Sequence, residues 1–476
     1  MRNQWWINTL TAMALTGLVA AVGAATAAAT PGAAPAPKPA AAAAAADAIV
    51  NDFVYGGLAL TPVAATGAGY HVHGKQRLDG LWDDYSAGGI GNVRHFNEQL
   101  LRRLDALKGA ALDPERTADL EIVRDNVNLV LLEVNTIHAA RHNPTIYVEL
   151  VGNGLYNPYV LNYAPLEVRF HHIIQRLQGI PALMAQARDN LLDAPEVWNR
   201  VARAENDGNI ELIDKTLRAA APPALAAEYA KAATPALAAL RDYDQYLTTT
   251  LAAYTSDWRL GKDNYERKCR YVLHTDRTSE QLLAAAEADL AATRAEMARL
   301  AAPRSVEAAL AEIASQHATP ATYMDEVRET LAEATAFVRQ KKLLTLASGS
   351  NLAVIDTPVF MRGIYGVGGF NPAPALEPQL GAFYWMTPIP ADWPQDRIDS
   401  KLREYNRFGL QQLTIHEAMP GHYVQAEYAN RIEPRTRRVL RAIWGNGPYV
   451  EGWAVYAQRM MSDEGYLDNS LALRLS

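Results

Sequence analysis

A single cysteine, Cys269, is all that the 476 residues contain. That excludes an intramolecular disulfide, so stability has to come from an apolar core. It also argues against lipid anchoring through an N-terminal cysteine. An excess of basic residues is missing too: 45 Lys and Arg stand against 52 Asp and Glu, a formal net charge of -7. With the basic residues scattered, nothing marks a track for a phosphate backbone or an anionic membrane, and nucleic acid is excluded as the expected partner. Long apolar runs are scarce as well. The run Leu10 to Val22 is shorter than the ~20 residues that cross a bilayer, and no later stretch reaches that length.

What is present starts with that run. Arg2 before it and the small residues Ala25 to Ala29 after it have the order of a secretory signal, so residues 1–29 are read as a cleaved signal peptide. The competing reading, an uncleaved anchor, needs a longer and more apolar segment. Residues 30–46, with Pro31, Pro35, Pro37 and Pro39 followed by an alanine run, are expected to form a low-complexity linker. The expected location is periplasmic or secreted, without membrane attachment after cleavage.

With 49% of residues apolar, the remainder can bury a large core. Most of it carries the helical period, and the predicted fold class is mainly α. Phe96, Leu100, Leu104 and Leu107 line one face of a segment ending at Gly109. Asp113 and Pro114 open the next helix, whose face continues through Leu120, Val123, Val127, Val130 and Val134. Thr278 and Gln281 have capping-box spacing, followed by a stripe of Leu283, Ala286, Leu290, Met297 and Leu300 that is expected to be core. Between Asn351 and Trp393 the period is lost among glycines, prolines and aromatics. There Ala382 to Thr387 is predicted to be a strand, with Ile364 to Phe370 as its partner. Such a small sheet is either a structural hairpin or an edge that pairs with an extended peptide.

The chemistry is concentrated near the end, in His416-Glu417-Ala418-Met419-Pro420-Gly421-His422. A hydrolytic zinc needs about three protein ligands, an open position for water and a carboxylate to take the water's proton. His416 and His422 offer two ligands, and Glu417 is the natural general base. Their spacing is not that of H-E-x-x-H, which puts both histidines on one helical face. Six residues of unbroken helix leave the two side chains about 120° apart around the axis and ~9 Å apart along it. Pro420, however, clashes with the carbonyl of His416 and lacks an amide hydrogen. The backbone is therefore expected to bulge or kink at Pro420-Gly421 and bring His422 back toward His416. A chance H-E-x-x-x-x-H arises in about one in a hundred such chains, so a third ligand is required before the motif carries weight. Glu451, in the apolar and aromatic setting Tyr449-Val450-Glu451-Gly452-Trp453-Ala454-Val455-Tyr456, supplies it; the alternative is an exposed Glu near a helix N-terminus.

These paired motifs resemble the bacterial family known as "domain of unknown function 885", which is grouped with the His-Glu zinc metallopeptidases. Gly261-Lys262-Asp263-Asn264-Tyr265 and Arg176-Leu177-Gln178-Gly179-Ile180-Pro181 extend the resemblance over most of the mature chain. It implies a large helical domain over residues 47–476, similar to the helical carboxypeptidases and dipeptidases of that clan. It also implies a deep cleft, beside which the small β-sheet read from the residues would lie near the metal site. It implies one Zn2+ on His416, His422 and Glu451, Glu417 as the base, and Gln425 and Tyr456 in supporting or substrate-facing positions. Family members continue with further helices, so the domain is expected to be truncated after Ser476. The function expected is zinc-dependent peptide hydrolysis; the alternative is a non-catalytic helical binding or scaffold protein that retains a metal site.

Overall fold

The computed structural model describes residues 39–347, 351–362 and 365–476. The expected signal peptide, the first part of the expected linker and Ile364 lie outside the described residues. Helices dominate, as the periodicity predicts. Those that matter below are α1 (Pro39–Leu60), α2 (Ala87–Ala106), α3 (Pro114–Leu132), α4 (Thr145–Val160), α5 (Leu166–Asn190), α6 (Glu196–Glu211), α7 (Ala226–Thr249) and α8 (Ser279–Ala301). Two strands of two residues, β1 (Val72–His73) and β2 (Gln76–Arg77), form an antiparallel hairpin between α1 and α2.

Local signals place the helix starts. The Asp113 carboxylate accepts the Arg116 amide hydrogen at the start of α3, and both halves of the Thr278–Gln281 capping box form at the start of α8. Leu100, Leu104 and Leu107 are buried, and Gly109 sits at φ 79° just past α2.

Two expectations fail. The alanine run taken as linker is instead the opening of α1, with Ala42 and Ala46 fully buried against α2 and α3. Alanine is the best helix former and needs no room, so the run packs rather than dangles. The stripe on α8 is not core: Leu283 is 60% and Leu290 48% exposed. Only Met297 and Leu300, toward the end of the helix, pack in a small cluster with Ile313 and Leu475. Amphipathic spacing made the helix correctly but did not tell what covers its face.

Three strands make the second sheet: β3 (Leu352–Asp356), β4 (Gly368–Asn371) and β5 (Ala382–Met386). β5 is central, antiparallel to β4 with Phe370 opposite Tyr384, and parallel to β3 with Val354 opposite Tyr384. The β4–β5 pairing agrees with the hairpin expected from sequence; β3 was not foreseen. Side chains alternate across a strand, and β5 uses both faces. Trp385 enters the core built by α4 to α7, while Ala382, Tyr384 and Met386 enter a second core with the helix Tyr323–Lys341 and the C-terminal helices. The sheet is thus the seam between two cores.

After the sheet come α9 (Arg407–Glu417), α10 (His422–Ala429) and α11 (Gly447–Asp463). Among the described residues no single helix is long and apolar enough to cross a membrane. Among these residues one helix pair, α1 with Pro62–Ala68, is long and apolar enough when taken together, and it is bent by 115°.

Candidate metal centre

Asn406 starts α9 by accepting the amide hydrogens of Phe408 and Gly409 at 3.0 and 3.2 Å. The helix then runs to Glu417 and stops. Ala418 and Met419 both donate to the Thr414 carbonyl at 2.9 Å, and Gly421 donates back to the Ile415 carbonyl at 2.9 Å. The chain thereby folds over its own last turn before α10 begins at His422. Glycine is required here by close approach: a Cβ on Gly421 would stand 1.9 Å from the His416 carbonyl oxygen and 2.4 Å from that of Ile415. The Trp453 indole on α11 donates to the carbonyls of Pro420 and Gly421 at 3.0 and 3.2 Å, pinning the bend.

The break between two helices, at the place where a bulge or kink was expected, solves the six-residue spacing. The His416 and His422 rings meet edge to face with centroids 4.7 Å apart. Glu451 arrives from α11, which Asn446 caps by accepting the Tyr449 amide hydrogen at 3.0 Å. Its Oε2 lies 3.2 Å from His416 Nε2 and 3.7 Å from His422 Nε2. One ligand atom from each of the three residues falls within 4.8 Å of the others.

This donor set fits a zinc ion. Two imidazoles and a carboxylate are its usual ligands at a hydrolytic site. Glu451 Oε1 and His422 Nδ1 are buried without a hydrogen-bond partner, a cost that a cation held by the cluster would offset at the carboxylate. Burial first, then the neighbouring His416 charge, lowers the His422 pKa to about 3, so its ring is the neutral form that binds a metal. For His416 burial acts in the lowering direction, but the Glu451 and Glu417 carboxylates outweigh it and the net shift is upward.

Glu417 sits beside the cluster. Burial raises its pKa to about 7, with Glu451 adding to the rise; His416 and a hydrogen bond from the Phe370 backbone oppose it. That hydrogen bond ties Glu417 to β4, and the Phe370 ring stacks on His422 at 6.4 Å. Of the other expected residues, Gln425 lies half-buried on α10 and Tyr456 is 56% exposed on α11. Neither is hydrogen-bonded to His416, His422 or Glu451. Five residues of helix turn Tyr456 about 140° away from Glu451.

Two positions were missed from sequence. The Gln458 carbonyl lies 3.4 Å from His416 Nδ1, while its amide donates to the Gln412 carbonyl at 3.1 Å, an arrangement that orients the ring. Seven residues from Glu451 put Gln458 within about 20° of the same face, a signal open to inspection. Trp453 lies inside the quoted motif, yet nothing in sequence reveals that its indole holds the bend.

Among curated proteins none matches the chain. One similar solved structure is "a putative lipoprotein of unknown function" from Shewanella oneidensis, at TM-score 0.67 and 25% identity, covering 90% of this chain and 79% of that one. A family model described as "Bacterial protein of unknown function (DUF885)" matches residues 62–475, which take in the bend, all three clustered ligands and Glu417, and the chain belongs to that family.

Proposed function

We propose that this protein is an exported zinc-dependent peptidase. The observation that carries the reading is the convergence of His416, His422 and Glu451, with ligand atoms within 4.8 Å and two buried atoms unpartnered, beside a carboxylate suited to act as base. Zinc held there would polarise a peptide carbonyl and ease deprotonation of a water. Glu417 takes that proton and delivers it to the departing amine. Gln458 keeps the His416 ring oriented, and Trp453 keeps His422 on the near side of the bend. The cluster lies beside β4, whose Phe370 contacts both Glu417 and His422. The Leu10 to Val22 run and the description of the solved neighbour as a lipoprotein support an envelope or exported location, whether periplasmic or secreted.

The test compares wild type with Glu417→Gln on a broad peptide library. Hydrolysis is expected in wild type, lost on chelation, and reduced about 10²- to 10⁴-fold in the variant with zinc retained. Zinc retention with no wild-type hydrolysis of any peptide would instead favour a structural metal site in a binding protein.

A further inference from the structure

Among the described residues, Glu149 on α4 and Glu205 on α6 belong to neither the metal cluster nor any ion pair. Glu205 is fully buried, and neither of its carboxyl oxygens has a hydrogen-bond partner. Glu149 keeps 8% of its surface exposed, so it is the more accessible of the two. Asn209 lies one turn beyond Glu205 on the same face. Its amide donates to the Val148 carbonyl at 2.8 Å, which leaves its own Oδ1 buried and unpartnered beside the Glu149 turn. Two packed helices thus bring together several acceptor oxygens against one donor, the Thr145 hydroxyl, which serves Glu149 and leaves Glu205 and Asn209 Oδ1 unpartnered. Buried carboxyl groups are rarely left so, because the charged form costs several kcal/mol without a partner. Burial raises both pKa values, and the Glu149 charge raises that of Glu205 further.

The position of this cluster links it to the metal centre. The turn Val359–Met361 sits on α4 and α6 where side chains are missing: a Cβ on Gly152 would meet the Phe360 ring at 2.1 Å, and one on Gly208 the Phe360 backbone at 2.4 Å. Gly152 and Gly208 follow Glu149 and Glu205 by three residues each, so the acidic groups lie one turn along the same faces. Further along the chain, the Tyr365 ring rests on Gly369 of β4 and meets Trp385 edge-on at 5.7 Å. Burial raises the Tyr365 pKa, as do the charges of Glu417, Glu149 and Glu451, in that order. Tyr365 therefore stands within electrostatic reach of Glu149 and of the metal cluster.

We infer that Glu149, Glu205 and Asn209 form a cation subsite that receives an ammonium group of the substrate. An ammonium carries three donors and a positive charge and has no acceptor, the complement of what these residues present. The inference rests on the peptidase reading and names its substrate class: peptides with a free N-terminal amine or a lysine side chain.

Calorimetry on zinc-loaded Glu417→Gln protein tests it with three probes: tetra-alanine, N-acetyl-tetra-alanine, and an N-acetylated peptide of the same length carrying one lysine. At least one amine-bearing peptide is expected to bind tenfold or more tightly than the acetylated, uncharged one. A preference for tetra-alanine assigns the N-terminal amine; a preference for the lysine peptide assigns the side chain. Adding Glu205→Gln, or separately Glu149→Gln, should abolish the preference while zinc content and binding of the uncharged peptide stay the same. Equal binding of all three, or a preference that survives both substitutions, overturns the subsite. Wild-type hydrolysis separates the two readings. If all three peptides are cut alike, the peptidase stands and the subsite falls. If none is cut while the Glu205-dependent preference remains, the subsite stands and the peptidase reading falls.

Discussion

The corner where α9, α10 and α11 meet and the long face of α8 break opposite rules of folding. At the corner, polar atoms of His422 and Glu451 are buried without partners. Along α8, Leu283 and Leu290 stand in water. The magnitudes separate them. A buried polar atom left without a hydrogen bond costs about 1 to 3 kcal/mol, a burden that a fold retains for a reason. Exposed apolar surface forgoes about 25 cal/mol per Å², and most protein surface is apolar anyway. The first violation therefore points to a ligand, and the second by itself points to nothing.

The comparison breaks most readily at Gly421. Valine there has no space beside the His416 carbonyl, so the bend must open and carry His422 away. Gly421→Val should lose stable zinc binding and lower stability by about 3 kcal/mol, read from the denaturant midpoint of the metal-free protein and its metal content. Retention of zinc by that variant would show that the bend does not set the site.

His71 offers a middle case, a half-buried polar ring whose two nitrogens both have partners. Nδ1 lies 2.7 Å from Asp79 and Nε2 3.1 Å from Glu377, joining segments 306 residues apart. Burial acts to lower its pKa, but Asp79 and Glu377 outweigh that, and the net shift is upward. Because the folded value exceeds the unfolded one, near 6.5, the stabilisation is complete below about pH 6.5 and disappears as pH rises through the folded value. His71→Gln should therefore cost about 1 kcal/mol more at pH 6 than at pH 9, measured by thermal or denaturant unfolding at both. An equal loss at both pH values would mean the ring is neutral throughout. The smallest effect belongs to α8: Leu283→Gln should change stability by less than about 0.5 kcal/mol. A larger loss would mean that this face is covered in solution.

The two regions also show what a sequence can disclose. Local chemistry was readable: Asp113 and the Thr278–Gln281 box start their helices, and Pro420 marks a break, because each acts within a few residues. The clustering of His416 and His422 was readable in the same way, with Glu417 beside them, and that of Glu451 through its apolar setting. Long-range facts were not. β3 is joined to β5 by a parallel pairing across some thirty residues, and its side chains are half-exposed, leaving no clean alternation to recognise. The exposure of α8 depends on what packs nearby, which spacing alone does not encode. Glu149 and Glu205 look in sequence like any surface acids on a helix, and only the packing of α4 against α6 sets them apart.

Zinc titration of the metal-stripped protein, in wild type and in His422→Ala, tests the metal centre most directly. One equivalent of zinc should bind to wild type, and the variant should bind it at least a hundredfold more weakly, since removing one of three ligands dismantles the set. Equal stoichiometry and affinity in the two proteins would contradict a site built by folding the chain back at Gly421.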